Sequence, residues 1–246
     1  MNILQVKDLK KTFKLGLKKT EVLKWVNLEV KKGEIFGFLW PNWAWKTTTL
    51  KLILWFIQPS WWEISIFWEN LSKNRNILKK IWFAPEQAYY YDHLTGKEFL
   101  YFMWKLSGLT SKQLKEKVPV YLKKVWLDFA ANKYIKTYSK GMKQRLWLAA
   151  AIIYEPELVF FDEPMSGLDP LGRNLVKNIM KELNQAWTTI FFNTHILSDV
   201  QEIAHRFAII NKWEIIFNWN ISDVSWSLEE FFVERIKSSW DLIEIK

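Results

Sequence analysis

Three stretches of this chain hold the residue types that handle phosphate. Residues Trp40-Pro41-Asn42-Trp43-Ala44-Trp45-Lys46-Thr47 follow the pattern G-x-x-x-x-G-K-[ST], with tryptophan at both glycine positions. That loop wraps backbone N–H groups around phosphates, with the lysine and hydroxyl beside them, and Thr48 extends it. It needs left-handed dihedrals and close approach, which only a residue without Cβ supplies cheaply. An indole at 40 or 45 blocks it. The second stretch is Leu158-Val159-Phe160-Phe161-Asp162-Glu163, an apolar strand ending in two carboxylates. Asp162 can hold Mg²⁺ with Thr47, through water or directly, and Glu163 can orient and deprotonate an attacking water. The third is Tyr138-Ser139-Lys140-Gly141-Met142, where Ser139 and the N–H of Gly141 stand at a helix start, a ready anion site.

The elements that must position these groups are legible as alternating patterns. Short β-like pieces at residues 3–6, 21–23, 26–30 and 34–39 lead into the phosphate loop, and residues 46–56 read as a helix with its amino end toward bound phosphate. Residues 63–84 return to a β pattern. Residues 95–138 are helical and lysine-rich, with Thr95 and Glu98 spaced as a capping box. From residue 158 strand and helix alternate: 158–162 strand, 171–184 helix, 189–193 strand, 196–205 helix. The expected fold is parallel α/β, with an antiparallel β subdomain at the amino end and a helical subdomain at about 90–150. Residues 1–246 read as a single domain with a short tail at about 222–246.

The tryptophans form a pattern of their own. There are 17 Trp and 8 Gly, and 17 + 8 = 25 restores ordinary glycine usage for 246 residues. Trp61-Trp62, between Gln58-Pro59-Ser60 and a strand-like run, occupy a turn slot. Trp213 lies between two apolar runs in a hairpin shape, and Trp187 separates a helix from a β-rich run, where a helix-ending glycine belongs. The economical reading is a gene that uses UGA for glycine, as some bacterial lineages do, written out as if UGA meant tryptophan. The 30 Lys against 5 Arg suit an A+T-rich gene. The alternative is a genuinely tryptophan-rich chain unable to bind nucleotide.

Composition bounds the rest. At 50% hydrophobic and 25% charged the chain has the makings of a sizeable core. No apolar run reaches membrane-span length, and the first residues lack a signal peptide's apolar core, so a cytoplasmic location is expected. Zero cysteines exclude disulfides and thiolate metal sites. The net charge of +9 is spread along the chain, as on a solvated basic surface, and no nucleic acid is expected.

Taken together, the chain resembles the nucleotide-binding subunit of an ATP-binding cassette (ABC) transporter, a P-loop NTPase fold. Residues 138–146, Tyr-Ser-Lys-Gly-Met-Lys-Gln-Arg-Leu, resemble the family's signature motif. Glu86-Gln87 resembles the Q-loop, Ser166-Gly167-Leu168-Asp169 the D-loop, Asn193-Thr194-His195 the switch histidine, and Phe13 the aromatic that stacks on adenine. The signature departs from the commonest L-S-G-G-Q form at Tyr138, Lys140 and Met142 but keeps Ser139 and Gly141. Trp40, Trp43, Trp45 and Trp147 depart where sterics are unforgiving.

The resemblance implies ATP and Mg²⁺ as ligands, with Gln87 on Mg²⁺ or the lytic water and His195 on the γ-phosphate. It implies that Ser139, Lys140, Gly141 and Met142 act on ATP bound to a second subunit, in a homodimer or heterodimer that sandwiches two ATP molecules. A separate membrane-spanning permease completes the machine, with this subunit peripheral on the inner face of the membrane. The Tyr89-Tyr90-Tyr91-Asp92-His93-Leu94 run could dock that permease or simply pack. Residues 227–232 resemble the short tail of the ABC-2 exporter branch. The rival class is a soluble ABC ATPase acting on ribosomes or DNA.

Overall fold

The computed structural model describes residues 1–15, 18–40, 46–86, 89–106, 109–153, 155–211, 214–224 and 227–233. The chain divides into two compact units, one built from Met1–Asn70 and Phe191–Lys246, the other from Leu71–Ile190.

In the first unit two long strands, β1 (Asn2–Leu15) and β2 (Lys18–Lys31), pair antiparallel, and β4 (Trp61–Ile66) and β5 (Glu69–Asn70) extend them in the order β2-β1-β4-β5. Alternation explains the sheet: Ile3, Val6, Leu9, Leu23, Val26, Leu28 and Val30 are buried while the lysines between them face out. The strands run longer than the four short pieces expected. Trp61 and Trp62 lie within β4, so the expectation of a turn there is corrected: both residues belong to a strand that pairs with β1 through Lys10↔Trp61.

The same unit holds β3 (Ile35–Leu39), buried at every position, parallel to β9 (Arg206–Asn211), with β10 (Glu214–Asn220) antiparallel to β9. A strand buried on both faces reads as a continuous apolar run, as Ile35-Phe36-Gly37-Phe38-Leu39 does. Gly37 lets the flanking helix α6 (Leu197–Ile203) sit close, since a Cβ there would meet Val200 Cγ1 at 2.8 Å. Helix α1 (Lys46–Ile53) follows β3 and stops three residues short of the expected Phe56. Residues 228–233 are helical, with Leu228 buried and Phe231 packed against the rings of Phe207, Phe217 and Trp219.

In the second unit β6 (Ile81–Ala84) pairs parallel with β7 (Leu158–Asp162). The expected β pattern over 63–84 is interrupted by a 3-10 helix at Arg75–Lys80, started by the Asn74 side chain accepting from the Asn76 N–H. Helices α2 (Gly96–Leu106), α3 (Ser111–Lys124), α4 (Lys140–Ile153) and α5 (Pro170–Gln185) complete the unit. The Thr95–Glu98 capping box forms: the Glu98 carboxylate accepts from the Thr95 N–H at 2.8 Å and Thr95 Oγ1 accepts from the Glu98 N–H at 3.2 Å. Two 3-10 turns, Asp128–Ala130 and Ile135–Thr137, replace continuous helix before the signature. Strand β8 (Thr189–Thr194), buried throughout, carries the chain back into the first unit. The final helix expected at 196–205 is shorter, Leu197–Ile203.

Candidate functional site

The buried strand β7 delivers its carboxylates as its sequence suggests: Asp162 is 2% and Glu163 1% exposed. Glu163 adopts φ 51°, a left-handed backbone that costs a side-chain-bearing residue on the order of 1 kcal/mol and recurs at functional turns. Two donors hold that turn. The Ser166 N–H reaches the Glu163 carbonyl at 3.1 Å, and Gln144 Nε2 on α4 donates to the same carbonyl at 3.1 Å and to that of Pro164 at 2.5 Å.

The signature residues open the same helix. Ser139 caps α4, its Oγ accepting from the Met142 N–H at 3.2 Å while its carbonyl accepts from the Lys143 N–H at 3.0 Å. Tyr138, just before it, is anchored by its hydroxyl donating to the Ala130 carbonyl at 2.7 Å, and burial raises that phenol above its ordinary pKa. Gly141 is tight against the D-loop, where a Cβ would meet Leu168 Cδ2 at 3.1 Å, and Gly167 takes φ 72°. Asp169 caps α5 by accepting from the Gly172 N–H at 2.6 Å.

Ser139, Lys140, Gly141, Arg145, Leu168 and Asp169 line one open cleft of about 490 Å³. The amino end of α4 and the Lys140 ammonium share it and suit an anion, while the amino end of α5 is already capped by the Asp169 carboxylate. Arg145 stands at its edge, donating to the carbonyls of Val125 and Trp126 at 3.2 Å each; burial lowers its pKa and Asp169 offsets part of that.

The segment after β6 reaches the same helix. Gln87 lies outside the described residues, but Tyr90, three residues on, donates its hydroxyl to the Lys143 carbonyl at 2.8 Å and packs on Phe99 and Trp147. Burial holds its phenol far above the usual range. A cavity of about 30 Å³ beside it is lined by Pro85, Glu86, Tyr90, Gln144, Trp147 and Asp162. Gln144 Oε1 and the Trp147 indole N–H, both buried, find no partner among the described residues. Tyr89, 83% exposed, and Tyr91 stay on the surface, so the aromatic run both packs and presents a face.

The remaining expected residues belong to the first unit. Pro41, Asn42, Trp43, Ala44 and Trp45 lie outside the described residues, as do the side chains of Lys46 and Thr47; Thr48 is half-buried in the first turn of α1. Trp40 is buried at the end of β3, its indole N–H without an acceptor among the described residues. An apolar indole there, its one donor stranded, is a poor lining for a phosphate. Phe13 stands on β1, partly exposed, with the Lys11 ammonium 4.8 Å from its ring centre. His195 is exposed just past β8, following buried Asn193 and Thr194, with Thr194 Oγ1 accepting from the Ile196 N–H at 3.1 Å. His205, by contrast, is spent on structure: its Nδ1 accepts from the Ile35 N–H at 3.1 Å.

The second unit therefore holds two separate groups: Ser139, Lys140, Gly141 and Asp169 at the open cleft, with Met142 in the first turn of α4, and Asp162 at the smaller cavity with Glu163 next in sequence. Among the described residues no group of three or more His, Asp or Glu gathers as a metal cage. One buried carboxylate suits Mg²⁺, which takes one or two carboxylates and completes its shell with phosphate and water. Sequence reasoning named Gln144 and Arg145 only within the signature segment and Tyr90 only within the aromatic run; their individual roles escaped it because their partners are main-chain carbonyls, which leave no mark in a residue pattern.

Comparison with known proteins places the chain by family and fold. The family model described as "ABC transporter" matches residues 23–166. An ABC transporter ATP-binding protein of Nostoc sp. is 38% identical over 99% of this chain and 74% of its own length. The bacitracin transport ATP-binding protein of Enterococcus faecalis is 38% identical over 83% of the chain and 66% of its own length. Among solved structures, an ATP-binding subunit of an ABC transporter superposes with TM-score 0.85 at 28% identity, covering 95% of this chain and 99% of that one. A dimeric ATP-binding cassette bound to ADP and Pi shares the fold, with TM-score 0.81 at 23% identity over 89% of this chain and 98% of that one.

Proposed function

Because the chain belongs to the ABC transporter family of ATP-binding proteins, whose activity is ATP hydrolysis, we propose that it powers transport through a permease carried on another polypeptide, at the inner face of the membrane. The observation that carries this reading is the open cleft lined by Ser139, Lys140 and Gly141, where the amino end of α4 and the Lys140 ammonium suit a nucleotide phosphate brought by a second subunit. In a head-to-tail pair each phosphate loop meets the other chain's signature.

In this mechanism Phe13 stacks on adenine, and residues 40–48 cradle the phosphates, with Lys46 on the β- and γ-phosphates. Thr47, Asp162 and Gln87 hold Mg²⁺, which neutralises phosphate charge when bound. Glu163 accepts a proton from water as that oxygen bonds to the γ-phosphorus and the bond from phosphorus to the bridging oxygen breaks, leaving ADP and phosphate. His195 donates to the γ-phosphate, and the D-loop Asp169 ties hydrolysis to the partner. Residues 1–246 work as one ATP-binding domain. The bacitracin transport relative favours an exporter of the ABC-2 kind, moving a drug, lipid or polysaccharide. The transport names of the relatives weigh against the ribosome or DNA reading. Among the described residues no helix is long and apolar enough to cross a membrane, which fits a partner permease.

The test uses a chain carrying Trp40→Gly, Trp43→Gly and Trp45→Gly. It is expected to hydrolyse ATP, and adding Glu163→Gln should cut turnover by about 10²-fold or more while ATP drives the protein into a dimer on size exclusion. Full turnover in the Glu163→Gln variant would remove the catalytic assignment; an ATP-bound monomer would remove the sandwich.

A further inference from the structure

The backbone carries a record of which side chains it was built for. Nine residues other than glycine take left-handed φ among those described, and five of them are tryptophan: Trp25 at 52°, Trp55 at 61°, Trp68 at 65°, Trp126 at 55° and Trp187 at 69°. A left-handed φ is uncommon outside glycine, and where it occurs asparagine and aspartate lead; a bulky residue there is an outlier. Tryptophan makes up 17 of 246 residues, so five of nine is far from its share.

Three of the five end helices in one and the same way. After α1 the Trp55 N–H reaches the Leu52 carbonyl at 3.1 Å and the Phe56 N–H reaches Lys51 at 2.7 Å. After α3 the Trp126 N–H reaches Lys123 at 3.0 Å and Leu127 reaches Leu122 at 2.8 Å. After α5 the Trp187 N–H reaches Asn184 at 2.9 Å and Thr188 reaches Leu183 at 3.0 Å. Each is the paired-bond helix stop whose left-handed residue is ordinarily glycine. Helix α1 ends at Ile53 for this reason.

The other two sit in strand connections with the same demand. Phe67 and Trp68, both left-handed, form the two-residue link between β4 and β5, where Ile66 pairs with Glu69; that turn favours glycine at its second position. Trp25 lies where the β1–β2 register shifts, between the Leu9↔Val26 and Lys11↔Leu23 pairs, and such bulges take glycine at a left-handed position. Trp25, Trp68, Trp126 and Trp187 are also exposed, Trp187 by 77%. Their indoles strain the backbone and fill no core. The buried indole N–H groups of Trp40 and Trp147, without an acceptor among the described residues, point the same way.

We infer that positions 25, 55, 68, 126 and 187 carry glycine in the working protein, and that a glycine codon has been written as tryptophan along the chain, opening positions 40, 43 and 45 for nucleotide. The five diagnostic positions lie outside the phosphate loop, so the inference stands apart from the ATPase reading. Trp104 carries no such sign: it is fully buried in α2, and its indole N–H donates to the Ala150 carbonyl at 3.3 Å.

Tandem mass spectrometry of peptides from the protein made by its own organism decides the matter. Peptides spanning 55, 126 and 187 are expected lighter, by the difference between an indolylmethyl group and a hydrogen, than the written sequence requires, with fragment ions placing glycine at each position. An indole at any of the three, any third residue there, or a UGG codon at those positions in the gene overturns the inference. If glycine is found and the chain still hydrolyses no ATP, the ATPase reading fails while this one holds.

Discussion

Gln144 Nε2 donates to the main-chain carbonyls of Glu163, at 3.1 Å, and Pro164, at 2.5 Å. The helix that starts at the signature serine thus grips the turn that aims the neighbouring carboxylate, tying the group proposed to read the partner's nucleotide to the group proposed to hydrolyse the chain's own.

Gln144→Leu is therefore expected to lower kcat about ten-fold or more, since stranding a buried hydrogen-bonding group costs about 1–3 kcal/mol, with ATP affinity unchanged. Gln144→Glu should be as poor at neutral pH, where a carboxylate cannot donate, and should recover as acid restores its O–H. Steady-state kinetics across pH, alongside nucleotide titrations, separate this from simple loss of packing. Parallel falls in affinity and kcat would argue against a positioning role.

The two histidines of the first unit should part company. His195→Ala should cut turnover by about 10²-fold with a melting temperature close to the parent's, because the residue is exposed and exposed substitutions usually shift stability little. His205→Ala strands the Ile35 N–H, and should cost about 1–3 kcal/mol in denaturant unfolding while turnover per folded molecule stays the same.

In the chain as written, Trp126→Gly and Trp187→Gly should each stabilise by about 1 kcal/mol, the strain of a bulky left-handed residue being of that order. Urea midpoints of the single and double variants test this, and no gain at either position would contradict the strain read from φ.

Glu34 is buried beside Arg206, whose Nη1 lies 3.0 Å from its carboxylate. Burial raises its pKa above the ordinary 4.5, more than Lys31 and Arg206 lower it. A raised acid favours the fold when protonated, so its contribution is whole below pH 4.5 and is lost as pH climbs through the higher folded value. Glu34→Gln should stay within about 1 kcal/mol of the parent at neutral pH, and the stability of the variant relative to the parent should rise with pH across that window.

Element order and the chemistry-bearing strand were readable because burial on both faces leaves unbroken apolar runs, as at Ile35–Leu39 and Leu158–Asp162. The Thr95–Glu98 cap was readable because its spacing is its mechanism. The end of α5 was readable too, Trp187 standing where a helix-ending glycine belongs, but the end of α1 was not: at Trp55 the letters predict continuation to Phe56, while the backbone turns left-handed. Trp61-Trp62 misled in the opposite sense, since neighbouring Pro59-Ser60 suggested a turn and pairing with β1 claimed both for a strand. The Glu163 turn was hidden because its conformation is imposed by Gln144 and Ser166 rather than by its own side chain.

Tyr90 grips Lys143 of α4 through its hydroxyl, one turn past Ser139 and one residue before Gln144. Within about two turns a stiff rod of fixed rise is thus clamped at three points: by the chain downstream of Gln87, by the signature cap and by the Glu163 turn. Tyr89 and Tyr91, exposed on either side of Tyr90, therefore present a surface whose half-buried neighbour is fastened to the same helix that fastens the Glu163 turn.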